Sequence, residues 1–195
     1  VIDKRRRRLL IATTTLATAG VGFAAVPFVA SMLPSERAKA LGGPVEIDFN
    51  KLTPGELLTA AWRGKPVWIM RRTPPMLGQL GNNAPLLADP DSQVATQQPS
   101  YAKNLYRSIK PELLVMIGIC THLGCVPTPR FAVGEASGLG EGWPGGFFCP
   151  CHGSKFDLAG RVFKNVPAPT NLVVPPHHFV TDTQVVIGVD PLQRT

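Results

Sequence analysis

Two short boxes, Cys120-Thr121-His122-Leu123-Gly124-Cys125 and Cys149-Pro150-Cys151-His152-Gly153-Ser154, hold all four cysteines of the chain and two of its four histidines. No other feature restricts the fold so sharply. Each box offers a Cys-x-His or Cys-x-x-His pair together with a spare cysteine, the pattern of a metal centre shared between two loops. A fold that satisfies it must bring to one place two turns that lie apart in the chain.

The flanking segments predict how this is done. Leu113–Ile119 is a continuous apolar run that leads into the first box, and glycine-rich residues 134–146 lead through Phe147-Phe148 into the second. Further strands are expected at Val45–Phe49, Lys65–Arg72, Arg161–Lys164, Leu172–Val174, Phe179–Thr181 and Gln184–Val189. Thr53, with Pro54 behind it, is expected to cap a short helix reaching about Trp62. Residues 73–100, rich in Pro, Gly, Asn and Gln, read as a long loop, with a little helix near Tyr101–Ile109. The 19 glycines and 20 prolines among 195 residues favour turns over a helical bundle. The expectation is a mainly β, antiparallel head at 44–195, whose part from about 118 to 169 carries the boxes. Trp62 and Trp68 are core candidates, Phe147, Phe148 and Trp143 are packing residues, and Gly145 and Gly146 serve a turn. His177 and His178 are expected at the surface or a strand edge and receive no role.

Ahead of the head, residues 9–33 contain no charge over 25 positions. At about 1.5 Å per residue such a run can cross a hydrocarbon core of about 30 Å. Its four threonines, Thr13, Thr14, Thr15 and Thr18, can return their hydroxyls to helix carbonyls, and Pro27 is tolerable as a kink. Lys4 and Arg5 to Arg8 precede the run, whereas Arg37 and Lys39 alone follow closely. This bias predicts a cytoplasmic N-terminus at 1–8, one transmembrane anchor at 9–33, and a head on the side away from the cytoplasm. A cleaved signal peptide is the alternative, with Ala38-Lys39-Ala40 as cleavage site, but the apolar run is longer than a signal core. The arginine run also resembles a twin-arginine export signal. Pro34–Gly43 reads as a linker.

The net charge of +7 is concentrated at the front. Residues 1–40 hold seven bases against two acids, and the remainder holds thirteen against eleven. No basic stripe is left to follow a phosphate backbone, so no nucleic-acid partner is expected.

A structural zinc would accept a Cys₂His₂ set, but it leaves Cys125 and Cys151 unexplained. Outside the cytoplasm two free thiols beside a metal are a liability, whereas a disulfide between them would tie the loops together. The two boxes resemble the Rieske iron–sulfur motif, C-x-H-x-x-C followed by C-x-x-H, and the resemblance is closest to the subunit of the quinol–cytochrome c reductase (cytochrome bc) complex. It implies one [2Fe–2S] cluster, with Cys120 and Cys149 on one iron and His122 and His152 on the other. It further implies a Cys125–Cys151 disulfide, a bridging-sulfide hydrogen bond from Ser154, and Leu123 covering the cluster near the docking face. Pro167-Ala168-Pro169 resembles the shielding loop of the family, with Val166 in place of a glycine. Phe156 stands where respiratory members often have a tyrosine whose hydroxyl bonds a ligand sulfur.

The function implied is electron transfer from quinol to a c-type cytochrome, with His122 and His152 facing quinol. The partners implied are cytochrome b, a c-type cytochrome, quinol and the lipid bilayer, in a dimeric complex whose head swings about its linker. The resemblance also implies that the head lies on the periplasmic side of a bacterial inner membrane. The chain alone would not turn over quinol. An exported Rieske subunit of another oxidoreductase, of the arsenite oxidase type, and a zinc protein are the rival readings.

Overall fold

Asp3 sets the start of helix α1, Lys4–Ser31, by accepting hydrogen bonds on its carboxylate from the backbone N–H groups of Arg5 and Arg6 at 2.9 and 3.3 Å. The structure is a computed structural model that describes residues 3–35, 38 and 42–190. The 28 residues of α1 span about 42 Å, so the helix is long and apolar enough to cross a membrane. Thr13, Thr14, Thr15 and Thr18 each donate to a carbonyl four residues back, to Leu9, Leu10, Ile11 and Thr14 at 2.8–2.9 Å. The threonine hydroxyls therefore need no water. The helix begins earlier than the uncharged run and includes Arg5 to Arg8. Pro27 lies inside it without ending it. Half of the expected linker, residues 36–37 and 39–41, lies outside the described residues. The chain divides into two compact units, 1–42 and 43–195.

Among the described residues the second unit is built from nine short strands in three antiparallel sheets. In order they are β1 (Val45–Asp48), β2 (Leu57–Trp62), β3 (Lys65–Arg71), β4 (Leu113–Ile117), β5 (Thr128–Arg130), β6 (Gly146–Phe148), β7 (Lys155–Phe156), β8 (His177–Phe179) and β9 (Gln184–Ile187). The sheets run β1-β9-β8, β2-β3-β4 and β5-β6-β7. The β2-β3-β4 sheet is covered on both faces, and the period-2 alternation of β3 and β4 shows why. Val67, Ile69, Leu113, Val115 and Ile117 enter one core with Ile47, Val185 and Ile187 of the first sheet. Trp68, Met70, Leu114 and Met116 enter a second core with Phe147, Phe156, Cys120 and Cys149. Burial on both sides explains the unbroken apolar run of β4. Each such side chain contributes about 1.5–3 kcal/mol.

The helix expected from Thr53 to Trp62 is replaced by strand β2. Thr53-Pro54-Gly55-Glu56 is a β-turn, closed by Glu56 N–H to Thr53 O at 3.1 Å, with Gly55 at φ +89°. Proline second and glycine third is the type II pattern, which reverses the chain instead of starting a helix. Arg63 and Gly64, at φ +51° and +71°, then form the two-residue turn that pairs β2 with β3. The long loop expected over 73–100 contains helix α2, Pro74–Asn82, which buries Leu80 against the second core. Near Tyr101 only one 3₁₀ turn forms, Ser100–Ala102. Segments 161–164 and 172–174 are not strands, although Val162 and Phe163 make single bridges to Phe156 and Leu87. His177 and His178 are buried, not at the surface, though β8 is the edge strand of its sheet. Trp62, Trp68, Trp143 and Phe147 are buried as expected.

Candidate iron–sulfur site

Both boxes fold into the same backbone turn. In the first, Cys120 N–H donates to Cys125 O at 2.7 Å and Gly124 N–H returns to Cys120 O at 3.0 Å. In the second, Cys149 N–H donates to Ser154 O at 2.8 Å and Gly153 N–H returns to Cys149 O at 2.9 Å. The glycine at the fourth step of each turn has φ of +84° or +80°, a region that side chains other than glycine rarely enter. Strand β4 feeds the first turn. The second is the loop of the β6–β7 hairpin, since Phe148 pairs with Lys155.

The turns meet. Cys125 and Cys151 form a disulfide with Cα atoms 6.7 Å apart. The rings of His122 and His152 lie with centroids 4.8 Å apart and planes at 88°. Cys120 and Cys149 are unpaired and buried, each 2% exposed. Burial pushes the Cys149 thiol above its ordinary range, and a hydrogen bond with the Cys120 side chain adds to this. The backbone N–H groups of Cys151 and His152 act in the opposite direction, favouring a negative sulfur. His122 is half-buried and His152 exposed, so imidazoles face outward and thiols inward. The donor set therefore fits a cluster ligated by sulfur on its buried side and nitrogen on its exposed side.

The residues around this set are also fixed. Ser154 is fully buried, and its Oγ accepts the Ala168 N–H at 3.0 Å, which leaves its own proton available for donation. Thr121 Oγ1 donates to Thr170 O at 2.7 Å, joining the first box to the Pro167-Ala168-Pro169 segment. Thr121 was not legible as a site residue, whereas Ala168 lies in the Pro-Ala-Pro segment that the family resemblance assigns to shielding the cluster. Leu123 is 71% exposed beside His122, with Val126 52% exposed nearby in sequence. Phe156 is fully buried in the core that contains Cys120 and Cys149. His177 and His178 belong to another sheet and take no part in the site.

Fold and site together define the class of Rieske proteins: residues 88–177 match the family model described as the Rieske [2Fe-2S] domain. Residues 3–35 match a second model, described as "Ubiquitinol-cytochrome C reductase Fe-S subunit TAT signal". The chain is 61% identical over 190 residues, 97% of its length and 91% of the relative's, to the ubiquinol-cytochrome c reductase iron-sulfur subunit of Allochromatium vinosum. It is 40% identical over 94% of its length to the subunit of that name from Blastochloris viridis, covering 92% of that protein. It is 42% identical over 83% of its length to the mitochondrial cytochrome b-c1 complex subunit Rieske of Solanum tuberosum, 52% of which is covered. The chain belongs to the family of ubiquinol–cytochrome c reductase iron–sulfur subunits. This membership supports neither the arsenite oxidase type of reading nor the zinc reading.

Proposed function

We propose that this chain is the membrane-anchored electron-transfer subunit of a quinol–cytochrome c reductase, with α1 crossing the bacterial inner membrane, residues 1–8 in the cytoplasm and the head in the periplasm. Cys120, Cys149, His122 and His152 hold the cluster, which when bound supplies a one-electron acceptor. The observation that carries this reading is the pair of imidazoles 4.8 Å apart over two buried, unpaired thiols.

The residues perform three tasks. The buried cysteines keep the anionic ligands away from water, while the imidazoles ligate without adding negative charge, so an electron is accepted at a higher potential than with four thiolates. The outer ring nitrogen of His122 or His152 takes the quinol proton at the exposed tip. Leu123, exposed next to His122 in the chain, gives that tip an apolar surface. Leu123 thereby shields the site and presents a greasy face to a docking partner. Cytochrome b is the required partner because the second quinol electron needs another acceptor. A c-type cytochrome receives the first, and the chain does not turn over quinol by itself. The complex is a dimer in this reading, and Pro34–Gly43 joins anchor to head.

A redox titration of the purified chain at several pH values tests the proton role. A midpoint potential that falls as pH rises through a ligand ionisation supports it, and a flat profile across the alkaline range refutes it. Co-purification with cytochrome b tests the assembly.

A further inference from the structure

The Pro167–Pro169 segment reaches Ser154 through one atom. Pro167 and Pro169 have no amide proton, so Ala168 N–H is the segment's single backbone donor, and it is spent on Ser154 Oγ at 3.0 Å. A hydroxyl has one proton and two lone pairs, and a lone pair occupied by Ala168 turns the proton away from the segment. The prolines hold φ near −65° on either side of Ala168. A shift at residues 170 and 171 is therefore passed to the Ala168 N–H and not absorbed on the way.

Asn171 holds the other end. Its fully buried side chain accepts the Val162 N–H on Oδ1 at 2.8 Å and donates from Nδ2 to Asp89 O at 3.0 Å. Val162 forms an antiparallel bridge with Phe156, two residues beyond Ser154. The result is a closed circuit. It runs from Ser154 along β7 to Phe156, across to Val162, through the Asn171 amide to Pro169, and by Ala168 N–H back to Ser154 Oγ. Ser154 and Asn171 are the two side chains that close it, and the remaining links are backbone.

We infer that Asn171 is a positioning residue for the iron–sulfur centre: by fixing the Pro-Ala-Pro segment to Val162 it sets the direction of the Ser154 hydroxyl proton, and through it the reduction potential. A donor aimed at a cluster sulfur stabilises the more negative, reduced state, so a misdirected proton lowers the potential. The inference rests on the assignment of Cys120, His122, Cys149 and His152 as ligands.

The test is a double-mutant cycle of Asn171→Leu with Ser154→Ala, read as midpoint potentials of the purified full chain carrying its cluster. Asn171→Leu is expected to lower the potential when Ser154 is present and to leave it unchanged in the Ser154→Ala background. An unchanged potential with Ser154 present, or an equal drop in both backgrounds, overturns the inference. Asn171→Asp keeps the acceptor for Val162 N–H, and its added charge acts in both backgrounds, so its coupling to Ser154 is expected to be smaller. If Asn171→Leu fails to load a cluster, Asn171→Ala, which removes the same acceptor, carries the cycle: coupling to Ser154 supports the inference and none overturns it. Loss of the cluster from both variants shows that Asn171 holds the fold and overturns a positioning role. Iron and acid-labile sulfide are assayed first in the unaltered chain. Their absence there refutes the ligand assignment, which separates that failure from failure of the Asn171 inference.

Discussion

Asp157 and Arg161 form a buried ion pair, with Arg161 Nη2 2.6 Å and Nε 2.9 Å from the same Asp157 oxygen. The other oxygen of Asp157 accepts the backbone N–H groups of Ala159 and Arg161 at 2.9 and 2.8 Å. Two further buried guanidiniums grip the same turn: Arg72 donates to Leu158 O and Arg107 to Ala159 O, both at 3.1 Å. Burial lowers Arg72 and Arg107 to about 10, and the Asp157 carboxylate opposes that shift. Asp157 is the only buried acid among the described residues. Asp157→Asn therefore leaves Arg161 without its ion-pair partner and removes the larger of the two carboxylate charges acting on Arg72 and on Arg107, which keep only Glu112 and Asp89 respectively. It should cost about 3–5 kcal/mol in denaturant unfolding of the full chain. A loss below about 1 kcal/mol would mean that water or a rearrangement replaces the carboxylate.

The Cys125–Cys151 disulfide joins the two ligand turns across a sequence separation of 26. Closing a loop of that size in the unfolded chain corresponds to about 3.5 kcal/mol of stabilisation in the chain-entropy model. Replacing both cysteines by serine should lower stability by up to that amount and reduce iron retained per chain after purification. Full iron content at ambient temperature in the double variant would show that the ligands alone hold the turns together.

The site was more legible than the scaffold around it. Cysteine and histidine at fixed offsets announce their chemistry locally, because ligand spacing within a turn is a short-range property. The same local reading failed at Thr53-Pro54-Gly55-Glu56, where Thr and Glu three apart resemble a capping box. Glu56 does bond the Thr53 N–H at 2.9 Å, but Gly55 at φ +89° turns the chain into β2. The turn signal Arg63-Gly64 was the stronger evidence, since it joins two runs of matched length. Helix α2 was hidden by its two prolines and two glycines, and its stability comes from burying Leu80. The buried positions of Arg72, Arg107, Asp157 and His177 depend on contacts far along the chain, which no local pattern reports.

His177 gives the chain a pH dependence away from the cluster. Burial lowers its imidazole to about 4, neighbouring His178 adds to this, and the hydrogen bond between Nδ1 and Pro175 O at 2.8 Å opposes it. The unfolded chain takes up this proton near pH 6.5 and the folded chain only near 4. Between those values the unfolded state binds more protons, so stability falls as the pH falls. The full difference is about 3 kcal/mol, present above pH 6.5 and gone below pH 4. His177→Gln should remove this component, so the stability of the variant relative to the parent should rise between pH 7 and pH 5. A constant difference between the two proteins over that range would show that His177 binds its proton equally in the folded and the unfolded chain.

Phe156 offers a direct handle on the potential. It lies in strand β7, opposite Phe147, fully buried in the core that contains both candidate ligand cysteines. Its ring has no donor, so a phenol hydroxyl at this position would add one within the core that holds the ligand cysteines. A hydrogen bond to sulfur favours the more negative reduced state, and one worth about 1 kcal/mol raises a one-electron potential by about 40 mV. Phe156→Tyr is therefore expected to raise the midpoint potential by roughly that amount, measured by redox titration with an electron paramagnetic readout. The hydroxyl must find its acceptor, because a buried phenol without one costs about 1–3 kcal/mol. The two outcomes separate cleanly. A raised potential with unchanged stability places the hydroxyl on sulfur, whereas an unchanged or lowered potential with a loss of stability places it against apolar neighbours and removes Phe156 from the groups that tune the centre.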